Sequence, residues 1–145
     1  MKNRTFLIPL FAAVLAMAFS ACATTPQTQI LTGIISDAAA IVLTKNENAV
    51  PVVRSLSLGI DAALTTGTLP PEKVKTFLDL LDKDASLTPG ERLIFARAIQ
   101  RTHQGLVAYV GTPDINVNNA RVRSILEEIK RNLDETLALH DALKS

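Results

Sequence analysis

The sequence predicts an all-α protein, a compact bundle of about five helices. Aliphatic residues recur at i, i+3, i+4 and i+7 through most of the chain. Proline, glycine, asparagine and threonine stand where helices start and stop. No run of alternating β-branched residues persists long enough to mark a strand.

The first stripe is Ile30, Leu31, Ile34, Ile35, Ala38, Ile41 and Val42, and it ends in the polar run from Thr44 to Asn48. Asn48 is positioned to cap a second helix with Pro51 in its first turn, Val53, Leu56, Ile60, Ala63 and Leu64 as its stripe, and Gly67 as its stop. Gly59 inside that helix costs about 1 kcal/mol relative to alanine, and close approach of a neighbouring helix is the expected reason for it. Pro70-Pro71-Glu72 opens a short third helix whose apolar residues are Val74, Phe77, Leu78 and Leu81. Thr88-Pro89-Gly90-Glu91 reads as a capping box for a fourth helix that runs to about Val110, before Gly111-Thr112-Pro113 stops it. After a loop, Asn118 is the expected cap of the last helix, with Val122, Ile125, Leu126, Ile129, Leu133 and Leu137 on one side. At roughly 26 residues and 1.5 Å each it is about 39 Å long, the longest strut of the domain.

The N-terminus has a different organisation. Lys2 and Arg4 precede an uncharged stretch from Thr5 to Ala21, rich in Phe, Leu, Ile, Val and Ala, which is the layout of an export signal. A permanent span needs roughly 20 apolar residues, and this stretch is shorter with Pro9 near its start. It ends in Ala18-Phe19-Ser20-Ala21-Cys22, which resembles the lipobox of bacterial lipoproteins. The resemblance covers the signal and lipobox alone. It implies cleavage before Cys22 and lipidation of that cysteine, whereas ordinary signal cleavage would leave Cys22 a free thiol. With Ala23 after the cysteine instead of aspartate, the resemblance implies a lipid anchor in the outer membrane, facing the periplasm. The expected organisation is a signal peptide at 1–21, lipidated Cys22 with a polar tether at 22–29, and a helical domain at 30–145.

Composition narrows the function. Cys22 is the chain's single cysteine, so the exported domain has no intramolecular disulfide and stands on its core alone. The chain carries 15 Lys and Arg against 14 Asp and Glu, and loss of Lys2 and Arg4 leaves 13 against 14. That balance argues against nucleic acid as a partner. Beyond the signal the aromatics are Phe77, Phe95 and Tyr109, which offer no stacking platform for bases or sugars.

Asp82-x-Asp84-x-Ser86, with Asp79 nearby, resembles the opening of an EF-hand loop, but Leu87 stands where that loop needs glycine and Leu93 where it needs glutamate. His103 and His140 are the two histidines, and their spacing does not indicate a zinc site. Serines lie in no strand-turn-helix elbow, so a hydrolase is not indicated. No metal, cofactor or catalytic residue is expected. Arg97 and Arg101, one turn apart, together with Arg121 and Arg123 are the candidate interaction patch for anionic head groups or an acidic partner. The competing reading is that these arginines solvate the outer faces of amphipathic helices.

The sequence thus points first to a non-enzymatic lipoprotein, bound to the membrane through its N-terminal lipid, whose helical domain binds an envelope protein as a structural or accessory subunit. The second reading is a small carrier or sensor holding an apolar ligand between helices, with Leu58, Leu80, Leu93 and Val107 off the main stripes as a further apolar surface. Cys22→Ala should abolish acyl labelling and move the protein from the membrane to the soluble fraction, and a variant that stays lipid-labelled would overturn the anchor.

Overall fold

The computed structural model describes residues 26–145. The expected signal at 1–21, its cleavage site and Cys22 lie outside the described residues. The domain is an all-α bundle of five helices joined by short links.

Helix α1 (Pro26–Leu43) begins four residues before the apolar stripe. A proline is tolerated in the first turn because its missing N–H would find no partner there, and Thr32 Oγ1 donates back to the Gln29 carbonyl at 3.1 Å. Residues 26–29, expected in the tether, are therefore helical. A short 3-10 turn (Glu47–Ala49) leads straight into α2 (Val50–Thr66). Asn46, not Asn48, does the capping here: its Oδ1 accepts from the Asn48 amide at 3.0 Å. Its Nδ2 donates to the Ser86 carbonyl at 2.9 Å and to Glu91 Oε2 at 2.8 Å. This position wins because one amide side chain serves both the turn and a neighbouring helix start.

Gly67 ends α2 in the left-handed region, φ 74°. It feeds a two-residue strand β1 (Thr68–Leu69), followed by α3 (Pro71–Asp82) and α4 (Pro89–Val110). The expected capping box at Thr88 and Glu91 is present, with the Thr88 amide donating to Glu91 Oε2 at 2.8 Å and the Glu91 amide to Thr88 Oγ1 at 3.3 Å. After Gly111, strand β2 (Ile115–Asn116) pairs antiparallel with β1, Thr68 opposite Asn116 and Leu69 opposite Ile115. Two residues are too few for alternation to announce, so this ribbon is a tertiary product. Helix α5 (Ala120–Lys144) follows, capped by Asn119 instead of Asn118: Asn119 Oδ1 accepts from the amides of Arg121 and Val122 at 3.0 and 3.3 Å.

α5 is the common wall. Helices α1 and α2 both pack against it, and α4 packs against α1. All six stripe residues of α5 from Val122 to Leu137 are buried. Phe95, Leu106, Val42, Val53 and Ile115 are fully enclosed beside them. α3 lies outside this group and packs mainly on α4. Its Leu81 is buried, while Val74, Phe77 and Leu78 are only half-buried. Among the described residues no helix is long and apolar enough to cross a membrane.

Two glycines separate strain from crowding. Both Gly67 and Gly111 have positive φ, 74° and 76°, but a Cβ on Gly67 would lie 2.7 Å from Asn118 Nδ2 while one on Gly111 meets nothing. Gly111→Ala should cost about 1–2 kcal/mol, the left-handed penalty alone, and Gly67→Ala more. Urea unfolding of the two variants checks the order, and equal losses would show that Asn118 moves aside freely.

Candidate functional site

Because α3 leans on α4 and only lightly on α2, the space between α2, α3, α4 and α5 is not filled by side chains. It forms a cavity of about 260 Å³, open on one side. The walls come from the apolar stripes themselves: Leu56, Ile60 and Ala63 on α2, Val74 and Phe77 on α3, Ile99 and Leu106 on α4, and Leu126 and Ile129 on α5. Ile35 of α1 and Leu69 of β1 complete them. Gly59 also lines this space, and a Cβ there would meet nothing within 4 Å. The glycine expected to admit a neighbouring helix instead borders the cavity.

Three polar side chains interrupt the wall: Lys73, Thr102 and His103. Thr102 is 4 % exposed, and neither its hydroxyl nor His103 Nε2 has a hydrogen-bond partner among the described residues. A buried polar group left unpaired costs about 1–3 kcal/mol, so both atoms are unspent hydrogen-bonding capacity within the wall. Burial lowers the His103 pKa below the usual histidine value, which holds the ring neutral near pH 7. A neutral imidazole can donate from one nitrogen and accept at the other.

His140 is elsewhere. It sits near the C-terminus of α5, where Nδ1 lies 3.5 Å from Asp141 Oδ1, in the neighbourhood of the Lys144–Glu47 ion pair. No group of three or more His, Cys, Asp or Glu side chains suited to a metal occurs among the described residues. In the segment with EF-hand spacing, Asp84 Oδ1 is occupied by the Ser86 amide and hydroxyl at 2.8 and 2.5 Å, and the Asp82 carbonyl takes the Arg92 guanidinium at 2.6 Å. These contacts close the α3–α4 turn.

Two of the four candidate arginines have partners within the fold. Arg121 stacks over the Tyr109 ring, 5.5 Å to its centroid, and donates to the phenol oxygen at 3.3 Å. Arg123 donates to the Leu64 carbonyl at 2.9 Å, at the end of α2, and lies 3.6 Å from Glu127. Arg97 and Arg101 are exposed and have no side-chain partner among the described residues. Arg101 precedes Tyr109 by two turns, about 12 Å along α4 at 1.5 Å per residue. Of the off-stripe residues expected to form a second apolar surface, Leu58, Leu80 and Leu93 are exposed and Val107 packs on the core. None of them lines the cavity. The sequence reading missed Lys73 and Thr102, and the signal for Thr102 was available: a polar residue on the buried face of α4, three after Ile99.

With its folded pKa lowered, His103 takes up protons more readily in the unfolded chain, whose value is about 6.5. Its contribution is intact above that pH and declines as pH falls below about 6.5 toward the folded value. Urea unfolding between pH 7.5 and pH 5.5, above the carboxylate range, should show a steeper loss of stability in the parent than in His103→Gln, and parallel curves would contradict the buried neutral ring.

No family model, curated protein or solved structure gives a significant match to this chain.

Proposed function

We propose that the protein is a membrane-anchored carrier or sensor that holds a small apolar ligand between its helices. The observation that supports this reading is the cavity beside α3, with apolar walls and the unpartnered hydroxyl of Thr102. An engineered apolar cavity of about 150 Å³ accepts benzene, so 260 Å³ has room for about ten heavy atoms. The anchor is supported by the lipobox-like Ser20-Ala21-Cys22, which makes the ligand's source or destination the envelope in which the domain is held. Release requires little rearrangement, because α3 is fastened chiefly to α4 and its apolar face is half-covered.

One feature favours the alternative of a protein partner. Ile41, Leu139 and Leu143 are exposed apolar side chains on α1 and α5. They could seat an envelope protein as a structural or accessory contact.

Naphthalene-sized probes separate the two readings. At a hundredfold excess over Kd such a probe should stabilise the protein by about 2.7 kcal/mol. Gly59→Leu, which adds bulk at the cavity rim without backbone strain, should abolish that gain while leaving the unliganded fold at least as stable. A gain that survives Gly59→Leu would place binding outside the cavity.

A further inference from the structure

We infer that the end of the bundle formed by the starts of α1 and α5 and the last turn of α4 lies on the phospholipid surface that holds the anchor. Ile30 and Tyr109 sit among the head groups there, and Arg121 meets a lipid phosphate. The inference rests on the lipid at Cys22 and is independent of the cavity.

The start of α1 decides which end meets the bilayer. The tether expected to run to residue 29 gives way to helix at Pro26. Four residues then separate the lipidated cysteine from a rigid rod, a reach of at most about 14 Å. A domain held so closely brings the start of α1 to the membrane surface, and whatever packs around that start comes with it. α5 runs beside α1 in the same direction: Leu31 and Ile125 line one open groove, Asn132 donates to the Thr32 carbonyl at 3.3 Å, and farther along Ala40 and Leu139 border a second hollow. α4 runs the opposite way. A Cβ on Gly105 would collide with Leu31, and Tyr109, one turn later, lines the first groove with Ile30.

The side chains at this end suit a membrane interface. Ile30 is 63 % exposed and Tyr109 46 %, and both share the groove with Arg121. A tyrosine combines an apolar ring with a polar tip and settles at head-group depth. Arg121 is exposed, lies over the Tyr109 ring and gives one donor to its hydroxyl. Neither contact neutralises its charge, and it has no ion-pair partner among the described residues. A guanidinium has five N–H donors in a planar fork, so those left over match the oxygens of a phosphate. The first turns of α1 and α5 contain no acid that would repel one. Leu139 and Leu143 are also exposed, but they stand about 27 Å and 33 Å beyond Arg121 along α5, with Asp141 between them.

The chain has one tyrosine and no tryptophan, so the emission of Tyr109 reports on this surface without an added label. The purified full chain is reconstituted in vesicles of phosphatidylglycerol and phosphatidylcholine, with or without a nitroxide on the lipid head group. Expected is loss of at least half of the Tyr109 emission to the nitroxide. Tyr109→Phe with Leu143→Tyr moves the reporter to the far end, where the loss should fall below a tenth. Ile30→Ser with Arg121→Gln should reduce the loss at Tyr109 at least threefold, while the protein still sediments with the vesicles. Equal quenching at the two ends, or quenching unchanged by the Ile30 and Arg121 substitutions, would overturn the docking while the anchor stands. A parent chain that does not sediment with the vesicles would overturn the anchor and the docking together.

Discussion

The buried stripe of α5 is the constraint on which the rest of the molecule depends. The described domain contains no cysteine and only three aromatic residues, so its stability has to come from aliphatic side chains, each worth roughly 1.5–3 kcal/mol when fully buried. α5 supplies six of these in one line from Val122 to Leu137, and both α1 and α2 close on that line. Apolar packing alone tolerates sliding, and polar ties at the edges of the stripe fix the register. Asn132 donates to the Thr32 carbonyl at 3.3 Å, Ser57 to Asp134 at 2.5 Å, and Arg123 to the Leu64 carbonyl at 2.9 Å. Burial pushes the Asp134 carboxyl up, but the hydrogen bonds from Lys130 and Ser57 outweigh it and hold the group below its ordinary value.

The opposite end is held by capping. Asn46 joins the α1–α2 turn to the start of α4, and Glu91 receives both its amide and the Thr88 backbone N–H. The Thr88 amide first, and Asn46 after it, keep the Glu91 carboxyl below the usual range, so the group is ionised where the free amides of a helix start favour negative charge. With both ends tied and α5 between them, α1, α2, α4 and α5 form a closed unit. α3 is the element left over.

That surplus creates the cavity. α3 is pinned by Leu81 and by the Arg92 contacts to Asp82 and Leu87, and the rest of its apolar face looks toward α2 across open space. A chain under selection for stability alone would close such a space with larger side chains at Gly59, Ala62 or Ala63. The small residues there leave it open.

The sequence by itself determined the helices, because their evidence is local: the Thr88–Glu91 box, the Pro70-Pro71 start, the Gly67 and Gly111 stops and the α5 stripe each lie within a few residues of one another. Its misses were also local in kind, since Asn48 and Asn118 compete with Asn46 and Asn119 for the same caps and distant partners break the tie. It read Gly59 as a close helix approach, as a lone glycine in a helix permits. What only the tertiary structure decided was which apolar surface stayed uncovered. A stripe records that a face seeks burial but not how completely its neighbours cover it, and coverage depends on where α3 comes to rest. Lys73, Thr102 and His103 share a site because α3 and α4 double back on each other. Arg121 and Arg123 are taken up by the Tyr109 ring and the Leu64 carbonyl because folding brings α4 and the end of α2 to the start of α5.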